Sequence, residues 1–184
     1  MTKLTTAAWV AHELGLAASF GRVLFGKLAL NPNLDVVESK PDRGKLLNKA
    51  WNRYNAVSIA STGTAIVTWL AGRGAIKGNV IDEEARNLVF AKDALLATAT
   101  VTGLASVLSG LRLARQAPEG ATPIDSGVTP APETSKEAAG LLRAVNLLGN
   151  ANLAVLGGTI AVSTILSIKA NESLGWSLVS RFLP

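Results

Sequence analysis

Cysteine is absent from the chain, and histidine and tyrosine each occur once. Without cysteine there is no disulfide framework, no thiolate metal site and no cysteine nucleophile. A single histidine supplies no His-rich metal centre, so no metal site is expected. Charge is scarce as well: Asp, Glu, Lys and Arg make up 17% of the residues, against roughly 25% in an average soluble domain. The sequence holds no Gly-rich phosphate loop, no HExxH, no GxSxG and no pair of carboxylates placed for acid–base work. Gly72-Arg73-Gly74 reads as a turn after a helix. No catalytic residue, enzymatic activity or resident cofactor is therefore expected.

What the chain does have is apolar length. Its 184 residues are 48% hydrophobic, with a mean hydropathy of +0.31. That excludes an intrinsically disordered chain, which combines low hydrophobicity with high net charge. Three stretches lack Asp, Glu, Lys and Arg altogether: Tyr54 to Gly72, Ala94 to Leu111, and Ala144 to Ile168. Each approaches or exceeds the roughly 18–20 residues that carry a helix across about 30 Å of hydrocarbon. The rest of so short a chain is too small to wrap three such helices on all sides. A fourth segment, 5–30, is apolar overall but contains His12, Glu13, Arg22 and Lys27. The two basic residues near its end are placed to snorkel toward headgroups. Its start does not read as a cleavable signal peptide, since His12 and Glu13 break the apolar stretch.

The fold class expected is all-α: an integral membrane four-helix bundle forming one transmembrane domain over 1–184, with spans near 5–30, 54–72, 94–113 and 144–168. Asp82-Glu83-Glu84 suits a helix N-terminus before the third span. Segment 116–139, rich in Pro, Thr, Ser and Gly, reads as a flexible loop. Leu174, Leu178 and Phe182, at helical spacing, suggest an interfacial C-terminal helix over 171–183.

The chain also resembles itself. At one offset Leu46-Leu47, Asn55-Ala56 and Gly63-Thr64 match Leu141-Leu142, Asn150-Ala151 and Gly158-Thr159; at a slightly shorter one Gly15-Leu16-Ala17 matches Gly103-Leu104-Ala105. These matches suggest two duplicated two-helix hairpins. An even number of spans per unit makes such repeats parallel about the membrane normal. Loops 31–53 and 112–143 carry more Lys and Arg than the opposite side, so the positive-inside rule places them in the cytoplasm and both termini outside. The net charge of +5 spreads over both faces and forms no basic stripe with interleaved aromatics, so nucleic acid is not an expected partner.

The candidate intramembrane polar site comprises His12, Glu13, Arg22, Asn55, Asn150 and Asn152. Ionisable residues inside a span are costly and point to function by default; for His12 and Glu13 the favoured reading is a place near the interface, against headgroups or Arg22 of a neighbouring chain. Asn48, Asn52 and Asn55 share one helix face, and Asn146 and Asn150 repeat that spacing, with Asn152 off that face. Such amides serve as interhelical glue or line a polar pocket. Glue is the favoured reading, with Asn48 and Asn52 at the water boundary. Gly21, Gly103, Gly110 and Gly158 lie in small-residue spacings that let helices approach closely, and Gly63, at the repeat position matched to Gly158, is expected to pack likewise. The function expected is that of a non-catalytic accessory or scaffolding subunit, with the lipid bilayer and other membrane subunits or further copies of itself as partners. The alternative is a small transporter or channel with its path between the repeats. A weaker alternative is a quinone- or proton-handling redox subunit using His12 and Glu13; a quinone or a haem on His12 is the only cofactor that reading admits.

Overall fold

Helix boundaries follow local chemistry. In the computed structural model, which describes residues 3–73 and 83–172, four long α-helices dominate. The first, α1 (Lys3–Phe25), runs into a π turn over Gly26–Leu30 and a 3-10 turn over Pro32–Val36. The π turn closes on a bond from the Asn31 amide to the Gly26 carbonyl, 2.8 Å. Pro32 follows, and a proline has no N–H with which to continue the helix. Next, α2 (Lys40–Arg73) starts on Ser39, whose hydroxyl accepts from the Asp42 amide, with Pro41 in the first turn. That is a favourable N-terminus: a hydroxyl cap, a pre-set φ and an acidic residue against the dipole. Acidic Glu83 and Glu84 open α3 (Glu83–Ala114), and Arg112 closes it. Ser135 caps α4 (Lys136–Glu172), accepting from the Ala138 amide at 3.2 Å.

Among the described residues there is no strand, only an isolated antiparallel bridge between Ile124 and Pro130. Two helices are long and apolar enough to cross a membrane, Glu83–Ala114 and Lys136–Lys169. Short of that measure, α1 is interrupted by His12, Glu13 and Arg22, and the charge-free part of α2 is diluted by Asn55, Ser58, Ser61, Thr62, Thr64 and Thr68. The C-terminal helix expected over 171–183 falls almost wholly outside the described residues; of the turn expected at Gly72-Arg73-Gly74, Gly72 and Arg73 are still helical in α2 and Gly74 lies outside the described residues.

The chain divides into two units, each built from a segment of all four helices. The first takes the described parts of 1–20, 59–99 and 154–184. Its core joins Leu16 of α1, Ala65 and Trp69 of α2, Ala85, Val89 and Leu96 of α3, and Leu166 of α4. Here α1 and α2 nearly touch: a Cβ on Gly15 would stand 2.6 Å from the Ser61 carbonyl oxygen. Beside that contact the Ser19 hydroxyl meets those of Ser61 and Thr62 at 3.1 and 3.0 Å.

The second unit takes 21–58 and 100–153. Leu34, Leu47, Leu113, Ile124, Ala138 and Leu142 form its core. Much of the 116–139 segment is a loop, as its composition indicates, but it is a fastened one rather than a flexible tether; its last residues already belong to α4. The Gly127 amide donates to the Asn31 carbonyl at 3.0 Å, Arg43 donates to the Asp125 carbonyl at 2.8 Å, and Asn48 donates to the Gly120 carbonyl at 2.6 Å. Burying Thr122, Ile124 and Ala131 adds apolar contact to those bonds. Glu119 stands in the left-handed region at φ 56, which costs a non-glycine residue roughly 1 kcal/mol or more. Its carboxylate is held there by Lys45.

That ion pair makes a pH prediction. Hydrogen bonding to Lys45, then its positive charge, holds the Glu119 carboxyl below its ordinary 4.5. A lowered carboxyl pKa stabilises the fold above the unfolded value, and the contribution disappears as pH falls through the folded one. Amide exchange at 119–121 should therefore accelerate below about pH 4.5 relative to the rest of the loop, beyond the intrinsic pH dependence. Lys45→Gln should remove that difference, and an unchanged profile in the variant would show that the pair does not hold the loop. The effect is modest, because both side chains face solvent.

Candidate functional site

The second unit contains a recess with about 790 Å³ of space between atoms, its open mouth included. Its polar lining comes from three helices and the turn after α1. Arg22 and Lys27 contribute from α1 and the π turn, and Asn31 from the turn. Asn48, Asn52 and Asn55 come from α2, and Asn146 and Asn152 from α4. No Asp or Glu lines it. Ser106, Gly110 and Leu113 supply the α3 wall.

Local structure explains how these groups converge. A Cβ on Gly26 would collide with the indole of Trp51, so glycine lets that ring lie against α1. The Arg22 guanidinium lies over the same ring, 5.4 Å from its centroid. Lys27 donates to the Asn146 side-chain oxygen at 2.8 Å and to the Asn146 carbonyl at 3.3 Å. Gly149 lies directly beneath the Lys27 stem, where a Cβ would come 3.4 Å from Cε. Asn152 donates to the Thr102 hydroxyl at 2.9 Å. The Asn31 side-chain oxygen is buried and has no hydrogen-bond partner among the described residues, and neither does the Arg22 Nε.

The structure thus brings together Arg22, Asn55 and Asn152 of the sequence candidates. Asn48, Asn52 and Asn55 share a face, as their spacing indicates, and that face lines the recess. Asn150 is exposed and does not line it. On α4 the facing arc runs through Leu142, Val145, Asn146, Gly149 and Asn152, centred on Gly149. Asn150 is one residue further on, about 100° around the helix. Lys27, Asn31, Asn48 and Asn146 were not among the sequence candidates for the polar site. Asn31 reads as a connector before Pro32, and Lys27 as a headgroup anchor; only the π turn and the loop placement of Gly127 against Asn31 bring them inward.

His12 and Glu13 belong to the first unit. His12 is fully buried, and its Nδ1–H donates to the Ala65 carbonyl at 2.8 Å, with the Thr68 hydroxyl at 3.2 Å. Its Nε2 is buried without a partner. The ring lies 6.2 Å from that of Trp69. Trp69 donates from Nε1 to Asp93 at 2.7 Å, while the Lys92 ammonium covers the indole face at 3.9 Å. Lys92 is 1% exposed, and the carboxylates of Glu13 and Asp93 are the acidic groups whose fields reach it. This is a buried polar cluster held by one tryptophan.

The glycines expected at helix contacts divide in two. Gly21, Gly63 and Gly110 face open space within the chain, with nothing within 4 Å of an added Cβ. Gly103 meets Asn152, and Gly158 meets Leu95, both at an ordinary 3.5 Å. The close approaches of the helices are at Gly15, Gly26 and Gly44 instead.

Among the described residues no group of three or more His, Cys, Asp or Glu is placed to hold a metal. Compared with protein-family models, curated proteins and solved structures, the chain matches none.

Proposed function

We propose that this chain is a four-span, non-catalytic integral membrane protein, a subunit that assembles laterally with other membrane proteins or with further copies of itself. One observation carries the reading: many large apolar side chains face outward, while several polar ones are buried beside the apolar cores. Leu14, Leu28, Val57, Ile59, Val67, Leu70, Phe90, Val101, Leu108, Leu147 and Ile168 are each more than half exposed. His12, Ser19, Lys92, Asn152, Thr159 and Ser163 are each less than 5% exposed. In water such an arrangement forfeits burial worth about 25 cal/mol per Å² of apolar surface. In hydrocarbon the outward faces cost nothing, and interior hydroxyls and amides bind helix to helix. No stretch of α1 or α2 is as apolar as the long runs of α3 and α4, but His12 and Ser19 of α1 and Asn48 and Ser58 of α2 are buried. The open faces at Gly21 and Gly63 are suited to close approach by a neighbouring helix.

The duplicated-hairpin reading belongs to this proposal. Leu47 and Leu142, at matched positions, both lie in the core of the second unit. Asn55 and Asn150 have diverged, one lining the recess and one facing out, and so have the exposed Thr64 and the buried Thr159.

Single cysteines introduced into this cysteine-free chain test the topology. With an impermeant maleimide, Pro41→Cys and Ser126→Cys should label from one side of the membrane, and Thr2→Cys and Pro184→Cys from the other. Opposite accessibility of positions 41 and 126 would refute four spans. Uniform labelling of all four sites, with extraction by salt alone, would refute a membrane location. A second reading, capture or passage of a small solute, is favoured by the recess. Flux into proteoliposomes that depends on Asn55 and Asn152 would support it over the scaffold.

A further inference from the structure

We infer that the recess in the second unit binds a phosphate-type oxyanion, with Arg22 and Lys27 as its charge partners and asparagine amides as its hydrogen-bond frame. The argument begins with charge. Two cations line one recess, and no carboxylate does. The ion pairs among the described residues include neither of them. A buried charge is ordinarily paired, because a desolvated ion without a counter-ion is costly. Arg22 and Lys27 are partly buried, and among the described residues Arg22 has the face of Trp51 and no acceptor for its Nε. Lys27 fares little better, holding a neutral amide oxygen and a carbonyl of Asn146. Both cations are thus fixed in place by neutral groups, which leaves their charge available to a ligand.

The donor set narrows the ligand. A guanidinium presents a planar fork of N–H groups that matches carboxylate or phosphate oxygens two at a time, while an ammonium acts as a point charge. A carboxylate has two oxygens and one charge; seated on the Arg22 fork, it leaves Lys27 with its amide. A phosphate or phosphate ester has further oxygens for Lys27 and for the amide donors of Asn52 and Asn55, which line the same recess. The apolar part of the wall, chiefly Trp51, accommodates the organic group esterified to the phosphate. That chemistry has two sources, the headgroup of an anionic phospholipid and a free phosphate or phosphomonoester. The inference stands on the recess and not on the membrane reading, because a free phosphate is testable in either case.

The full chain, purified in maltoside micelles that contain no phosphate, is titrated with inorganic phosphate, glycerol 3-phosphate, phosphatidylglycerol and, as an acyl-only control, diacylglycerol. Binding is followed by calorimetry and by melting temperature. Saturation by the two free anions assigns a soluble ligand; saturation by phosphatidylglycerol alone assigns a lipid headgroup. Either outcome supports the site if Arg22→Gln weakens binding at least ten-fold while Lys49→Gln, an exposed cation of the same unit outside the recess, leaves it within two-fold. A second variant guards against misfolding. Asn146→Asp places a carboxylate where the amide oxygen now stands, 2.8 Å from the Lys27 ammonium. It should raise the melting temperature without ligand and weaken anion binding at least ten-fold, a pairing of effects that a merely structural asparagine does not predict. The inference is overturned if no phosphate-bearing probe saturates, or if diacylglycerol binds as well as phosphatidylglycerol. It is equally overturned if Asn146→Asp, or a folded Arg22→Gln, binds like the parent.

Discussion

Gly15→Ala should destabilise the protein by about 2–3 kcal/mol, while Gly63→Ala should leave it unchanged or stabilise it by up to about 1 kcal/mol. The two substitutions are chemically identical and both lie in helices, so helix propensity favours both equally. They differ in what the new methyl group meets. At Gly15 it would stand 2.6 Å from the Ser61 carbonyl oxygen and 3.2 Å from the Ala65 amide nitrogen. These are backbone atoms of a neighbouring helix and cannot rotate away. Relief requires α1 and α2 to separate, and separation also strains the Ser19 hydroxyl contacts with Ser61 and Thr62. At Gly63 nothing lies within 4 Å. Unfolding in mixed micelles, or a thermal melt in mild detergent, measures both. Equal melting temperatures would mean that the two helices tolerate a wider spacing. A loss at Gly63 alone would mean that its open face is covered in an assembly of several subunits, which size measurement would then have to show.

Trp69→Ala is the second large effect, expected at about 3–5 kcal/mol, with Trp69→Phe near 1–3 kcal/mol. The indole is 2% exposed and serves three neighbours at once. It fills the core of the first unit, donates to Asp93, and spreads its face beneath the Lys92 ammonium. Phenylalanine keeps most of the packing and a ring face for the cation but loses the donor to a charged acceptor. Alanine loses all three and uncovers a buried ammonium. The cation–π part is separable. In a Lys92→Met background, Trp69→Ala should cost about 1–2 kcal/mol less than in the parent. Strict additivity of the two substitutions would show that Lys92 is held by its acidic neighbours and not by the ring.

The all-α class was legible because it rests on local rules, but the starts of α2 and α4 were not: α2 begins at Lys40, inside the segment 31–53 expected as a loop, and α4 at Lys136, inside 116–139. Their caps, Ser39 with Pro41 and Asp42, and Ser135, lie in polar sequence that the apolar runs do not reach. The charge-free runs of α3 and α4 announce themselves by composition, and the shared face of Asn48, Asn52 and Asn55 follows from 3.6 residues per turn. Partners were not legible, since periodicity names a face but not what stands opposite. Gly15 and Gly21 are equivalent to a spacing rule, each with a small residue four positions away; which of them meets a backbone depends on how two helices far apart in sequence cross.

The same limit separates His12 from Arg22. Both are ionisable residues of one helix, and the sequence determined that keeping them there has a cost. Only the tertiary structure decided that His12 donates to the Ala65 carbonyl in one unit while Arg22 lies over Trp51 in the recess of the other. Composition likewise determined that 116–139 is a loop. Its fastening was decided by groups distant in sequence, the Asn31 carbonyl, Arg43 and Lys45, because a loop's mobility depends on the hydrogen-bonding partners it finds. Local chemistry belongs to the sequence, whereas burial, pairing and the convergence of asparagines on one recess exist only once separate helices share a space.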